Sequence, residues 1–389
     1  MSRFDSFEVN VRKLLYIAVS LGLLLSLSFV PELLRSSCVL YSYAKKQQPA
    51  IISLYVKYFG YKSTITDTEI AGRHGSIPVR VYTPLKAVHP ATILIVHGFA
   101  PEGNKHPVMN ALAARLAEVG FRVVLPTIAA ETIFQMKVSD LDIIDDVIFW
   151  SADKFQRRVS VAGVSFGGGL AIAATMRPDV VSHVAAVLSI SGYNNLDTIG
   201  HLYIHDRVLD PNGVPYAGHG PPAGPLLFIS QYLEEMVSHR DALALQLPID
   251  TFKHHAADHV TDAVTQSLAK LSKEQLGMFH ELQSVDSPAV RQRYLNILDR
   301  HRQEIEELSP STHLPTSKAN LFVLHGKNDP AIPAAEVEWM RHESSSNPNA
   351  HFLVSPWLTH ADAGRPTNVF EKLKVAIFFD RFLRKAASP

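Results

Sequence analysis

The chain has 389 residues, enough for one large α/β domain carrying an insertion and for a sizeable core. Hydrophobic residues make up 47% and charged residues 19%, which excludes a disordered or collagen-like chain. Lys plus Arg (37) equal Asp plus Glu (37), which argues against a nucleic-acid partner, and the single cysteine, Cys38, excludes an internal disulfide framework and any multi-cysteine metal site.

From Leu14 to Val30 the chain reads LLYIAVSLGLLLSLSFV without a charge, and the apolar character continues to Leu34 with only Glu32 interrupting it. That is close to the roughly 20 residues a membrane-spanning helix needs. Only Ser is scattered through the run, so it lacks the polar stripe of a core helix. Arg12 and Lys13 ahead of it also suit a cleavable signal peptide, but the small residues Ser42 and Ala44 lie far beyond the apolar stretch, and Arg35 disfavours a lipoprotein reading of Cys38. The expectation is an uncleaved, single-pass N-terminal membrane anchor within a unit 1–48. Basic residues flank it on both sides, so its orientation stays open.

Pro49 to Tyr61 (PAIISLYVKYFGY) reads as an amphipathic helix, suited either to a membrane surface or to the protein body. Two β-rich runs, ITDTEIAG and IPVRVYTP, then flank Arg73-His74-Gly75-Ser76 as the arms of a hairpin. An alternation of strand and helix follows: strand ATILIVH, helix Val108 to Val119 stopped by Gly120, strand FRVVLPTI, a helix around Leu141 to Trp150, strand RVSVAGVS, helix GGLAIAATM and strand VAAVLSIS. Strands alternating with helices imply crossover connections and a mostly parallel sheet.

The rhythm stops near Tyr193 and resumes at Ala319 with ANLFVLHG. A structureless loop of that length is implausible, so residues 194–318 are expected to form a helical cap between two parts of one core, 49–193 and 319–389. The cap opens with a Pro- and Gly-rich loop at 211–225, and its expected helices are Leu226 to Val237, Val260 to Leu271 and Val290 to Leu308. Beyond it come a helix Val337 to His342, a strand HFLVSPW and a closing helix Val369 to Leu383 with Phe370, Leu373, Ile377 and Phe382 on one face.

Gly163-Val164-Ser165-Phe166-Gly167 stands between a buried-type strand and an apolar helix, where a serine on a strained turn presents its hydroxyl above the sheet. Such a hydroxyl needs a base to take its proton and an acid to hold that base in one tautomer. Asp329, just past the strand in VLHGKNDPAIP, and His360, in the loop after HFLVSPW, complete the order Ser165, Asp329, His360 that this elbow requires. Asp197 is the reserve acid, and Asp362 is too close to His360 in sequence to be favoured. For an oxyanion hole, one N–H should come from Phe166 and the other from the loop His97-Gly98-Phe99-Ala100, at Phe99 or Ala100.

No dinucleotide, P-loop or H-E-x-x-H pattern is present, so neither cofactor nor metal is expected. His254, His255 and His259 cluster, but Asp258 and Asp262 beside them make a solvated helix the plainer reading.

HGF at 97–99, GVSFGGG at 163–169, HGKNDPAIP at 325–333 and the TH pair at 359–360 resemble the α/β-hydrolase superfamily from about Ile65 to Leu383. PVRVYTP is similar to carboxylesterase and lipase-like members, although the HGGG run of the hormone-sensitive-lipase type is absent and GVSFG replaces its GDSAG. The resemblance implies a serine hydrolase acting on small, lipophilic esters under a cap. A peptidase or thioesterase would use the same residues, and a non-catalytic binding protein could keep the same fold.

Overall fold

The computed structural model describes residues 34–40, 50–215, 220–221, 223–255, 262–360 and 366–388. The apolar run Leu14 to Leu34 lies outside them except for its last residue. Among the described residues no helix is long and apolar enough to cross a membrane.

Eight strands form one sheet: β1 (Ser63–Gly72), β2 (Gly75–Pro84), β3 (Thr92–Val96), β4 (Arg122–Pro126), β5 (Val159–Val164), β6 (Val184–Ile190), β7 (Leu321–Gly326) and β8 (Ala350–Ser355). Their order is β1-β2-β4-β3-β5-β6-β7-β8, with β2 antiparallel to both neighbours and β3 to β8 mutually parallel. Gly72 pairs with Gly75, so the hairpin turn is Arg73-His74 alone, tighter than the four residues expected. The Arg73 guanidinium pins that turn to the helix Val138–Phe155, donating to Asp146 Oδ1 at 2.8 Å and to Asp145 Oδ2 at 3.3 Å.

The parallel strands are apolar on both faces because helices cover both. With a side-chain period of two, Ile93 and Ile95 of β3 join Val123 and Leu125 of β4 under the helices Pro107–Glu118 and Val369–Ala387. Leu94, Val96 and Val124 point the other way, under the helices Val138–Phe155 and Phe166–Thr175.

The closing helix corrects the sequence reading. Of its expected core face only Phe382 is buried, at 1% exposure, whereas Phe370 is 72% exposed and Leu373 and Ile377 face outward. The buried stripe is Val375, Phe378, Phe379, Phe382 and Leu383. Two apolar stripes compete on this helix, and the one that stacks Phe378 and Phe382 edge-on to Phe322 of β7, at 5.8 and 5.7 Å, takes the sheet. The unit read as anchor and flanks also contributes to the body. Helical residues 34–40 bury Cys38, Val39 and Leu40, and Arg35 pairs with Asp380 at 3.2 Å.

Between the adjacent strands β6 and β7 the chain is helical, but not where the sequence places every helix. The expected Leu226 to Val237 is broken into Gly224–Ile229 and Leu233–Met236 by a tight turn at Ser230–Tyr232. Of Val260 to Leu271, the described part is helical over Asp262–Leu268, and Val290 to Leu308 divides at His301 into Pro288–Arg300 and Arg302–Glu307. Leu196–His205, His239–His255 and Lys273–Ser284 were not anticipated. Pro248 inside His239–His255 reads as a stop in sequence, but burial of Leu245 and Ile249 overrides it. The capping box of Ser272 and Gln275 was a legible start signal for Lys273–Ser284.

Where this insertion leaves β6, Glu336 Oε2 accepts the amides of Asn194 and Asn195 at 2.8 and 2.9 Å. Burial pushes the Glu336 carboxyl up to about 7, with nearby Glu343 adding to the rise and the two amides opposing it. Its folded pKa exceeds its unfolded one, so the folded chain holds an extra proton between the two. That contribution to stability is full below the ordinary carboxylate range and is lost as pH rises through about 7. Glu336→Gln, with its oxygen on the two amides, is expected to flatten this slope and to be more stable than wild type at alkaline pH by about 1–3 kcal/mol. Thermal melts across neutral pH check it, and an unchanged slope would refute it.

Candidate active site

β5 ends at Val164 and the helix Phe166–Thr175 starts one residue later, which leaves Ser165 to make the whole turn. Its φ of 57° and ψ of −133° lie in a strained region for a residue with a side chain. Such a turn needs bare backbone around it. A Cβ on Gly167 would lie 2.1 Å from the His97 carbonyl oxygen, and one on Gly98 would lie 2.9 Å from Ser165 Cβ. The elbow and the loop after β3 are thereby in backbone contact.

Asp329 in the loop after β7 and His360 in the loop after β8 converge on this turn. Ser165 Oγ is 2.7 Å from His360 Nε2, and His360 Nδ1 is 2.9 and 3.0 Å from the two Asp329 oxygens. The consistent proton pattern has Ser165 donating to Nε2 while Nδ1–H donates to the carboxylate. Asp329 is 4% exposed, and Oδ1 also accepts the amides of Ala331 and Ile332 at 2.9 and 3.0 Å. Burial alone would raise its pKa; the hydrogen bond and charge of His360, with the Ile332 amide, outweigh that and hold it below the usual carboxylate range. Asp329 is therefore anionic at neutral pH.

The loop after β3 lies beside the elbow. The Ala100 amide donates to the Glu131 carbonyl at 3.3 Å, which leaves Phe99 as the better placed of the two amides considered there. The rings of Phe99 and Phe166 stack at 4.4 Å with a 24° interplanar angle, which ties the two amide-bearing residues together. His97 fastens the loop from behind: Nε2 accepts the Ile128 amide at 3.0 Å, so Nδ1 carries the proton and faces the Gly98 carbonyl at 2.7 Å. Burial pushes His97 down to about 4 and Glu131, 3.3 Å away, well above the usual carboxylate range. With the His97 imidazole neutral, the contact is not an ion pair.

Aromatic side chains stand beside the Ser165 elbow. Leu226, Ile229, Tyr232, Leu233 and Met236 are buried in the packed core. Phe134 reaches Phe99 at 5.6 Å, and Phe166 reaches Tyr193 at 5.7 Å. Phe134 (φ 58°) and Glu131 carried no sequence signal.

Asp197 is not brought to His360: it is half-buried in the first turn of Leu196–His205, where it faces His201 at 3.7 Å. Asp362 and His259 lie outside the described residues, as do the side chains of His254 and His255. Among the described residues no group of three or more potential metal ligands is present.

No family model and no curated protein sequence matches the chain. Solved structures do. An esterase from Pyrococcus furiosus aligns with a TM-score of 0.46 at 13% identity, over 84% of this chain and 92% of that one. The acylaminoacyl peptidase of Pyrococcus horikoshii aligns with a TM-score of 0.48 at 13% identity over 88% of this chain; the chain spans 45% of that protein's length. A membrane phospholipase A described as a bacterial virulence factor aligns with a TM-score of 0.45 at 16% identity, over 99% of this chain and 100% of that one. In its own strand order, with β2 reversed and a serine elbow after β5, the chain has the α/β-hydrolase fold.

Proposed function

We propose that the chain is a membrane-anchored serine hydrolase that cleaves carboxylic esters of lipophilic substrates through an acyl-enzyme. The observation that carries this reading is the continuous relay from Ser165 Oγ through His360 to buried Asp329. In the acylation step Ser165 Oγ bonds to the ester carbonyl carbon while its proton passes to His360 Nε2. The developing imidazolium is stabilised by the Asp329 carboxylate, and the oxyanion by the amides of Phe99 and Phe166. Collapse of the adduct breaks the bond to the alcohol, which leaves with the proton from His360. Water then repeats the sequence on the acyl-enzyme. Phe99, Phe134 and Phe166 give the acyl group an apolar wall, and the cap root beside β6 and β7 lies at the same sheet edge. The run Leu14 to Leu34 supplies the anchor.

The test is a fluorophosphonate probe followed by a panel of esters of rising acyl length. Each buried methylene contributes up to about 0.8 kcal/mol, so kcat/KM is expected to climb up to about fourfold per carbon from acetyl toward medium-chain esters. A flat or falling profile, or efficient peptide cleavage with negligible ester turnover, would overturn the ester assignment in favour of a peptidase.

A further inference from the structure

Strand direction divides the molecule into two edges. Ser165 and the loops bearing Asp329 and His360 follow the carboxyl ends of β5, β7 and β8, so the chemistry occupies one edge. At the other edge, residues that precede the parallel strands form a basic concavity of about 640 Å³ lined by His89, Arg122, Lys154, Arg157 and Arg158, with the Phe155 ring under the Arg122 guanidinium at 3.8 Å. The acidic Asp153 stands beside it on the same helix end.

Exposed apolar side chains lie at the same edge as this basic patch. Tyr61 donates its amide to Glu118, at the end of Pro107–Glu118, which brings the helix Ala50–Phe59 to the same edge. That helix buries Ile52 but turns Leu54, Tyr58 and Phe59 outward, at 52%, 68% and 71% exposure. The Leu85 amide donates to the Lys62 carbonyl, and Arg157 donates to the His89 carbonyl, so the loop between them belongs here too; its Val88 is 85% exposed. Exposed aromatic and aliphatic side chains among Lys and Arg are what an anionic bilayer surface accepts.

The described helical residues 34–40 lie against the closing helix between the two edges. Leu40 lies with Ile190, Leu324 and Leu358 at the catalytic ends of β6 and β7, while Arg35 sits lower on the closing helix, at Asp380. Residues 34–40 therefore run along the closing helix, from Asp380 toward the catalytic edge.

We infer that the basic edge docks on an anionic membrane leaflet and holds the catalytic edge away from it by the height of the sheet, about 20 Å for a six-residue strand such as β5. This rests on the anchor in the proposed function, and it restricts that site to esters that leave the bilayer as monomers.

Cys38 is the single native thiol and is buried, so labels can be placed elsewhere. The full chain carrying Tyr58→Cys, Val88→Cys, Phe370→Cys or Gly277→Cys, each with an environment-sensitive fluorophore, is reconstituted in vesicles of phosphatidylcholine and phosphatidylglycerol containing doxyl-labelled lipid. Labels at positions 58 and 88 are expected to be quenched several-fold more than those at 370 and 277. Replacing phosphatidylglycerol by phosphatidylcholine, or adding Lys154→Glu and Arg158→Glu, is expected to reduce that quenching while ester hydrolysis in detergent stays unchanged. Equal quenching at 370 and 88 would overturn edge-on docking, and insensitivity to lipid and protein charge would overturn its electrostatic basis. Alkaline carbonate separates this from the anchor reading. Protein that resists extraction but is unquenched at 58 and 88 overturns the docking edge alone, whereas quenched protein that carbonate releases overturns the anchor and upholds the edge.

Discussion

Ser165→Ala is expected to abolish fluorophosphonate labelling and to lower ester turnover by about 10⁴–10⁶-fold while leaving the melting temperature close to that of wild type. The size follows from what is removed. Without Oγ there is no covalent intermediate, and His360 Nε2, now 2.7 Å from nothing that can attack, has only water to activate. The residual rate should come from the Phe99 and Phe166 amides polarising a bound carbonyl, since such sites retain catalysis over water when a triad member is lost. Ala also fits the turn without new bulk, although the φ of 57° stays unfavourable for it. Retained labelling, or near-normal turnover, would remove Ser165 from the mechanism altogether.

Much of this site was legible because its parts are set by local constraints. A serine between a buried strand and an apolar helix, with glycine two residues before and two after it, leaves little alternative to a tight elbow. The parallel strands were readable as continuous apolar runs, since both faces of the sheet are covered. Glu131 was not readable: it is a lone carboxylate in the mostly apolar segment TIAAETIF after β4, and only the folded chain brings its carbonyl to the Ala100 amide and its carboxyl beside His97. The closing helix failed for a related reason. It carries two apolar stripes, and which of them is core depends on Phe322, a residue on another element. Helix boundaries in the insertion depended likewise on partners, as with Tyr294, whose hydroxyl donates to the carbonyls of Pro225 and Leu282 from the centre of that packing.

Asp329→Asn should be nearly as damaging as loss of the nucleophile, for a reason of proton placement rather than charge alone. Oδ1 of Asp329 accepts the amides of Ala331 and Ile332, so an Asn there is obliged to keep its carbonyl oxygen on that side. Its NH₂ then takes the position of Oδ2 and donates to His360 Nδ1, which must become the unprotonated nitrogen. The remaining ring proton moves to Nε2, where it faces Ser165 Oγ and cannot accept the serine proton. The expected fall in kcat is about 10⁴-fold, with KM and the melting temperature far less affected. Raising the pH should recover part of the rate by direct ionisation of Ser165, which would give the variant a rising limb where the wild type is flat. Asp197→Asn is the matched control: a half-buried carboxylate facing His201, away from His360, should tolerate the change without loss of rate. Full activity in Asp329→Asn, or a comparable loss in Asp197→Asn, would reassign the group that orients His360.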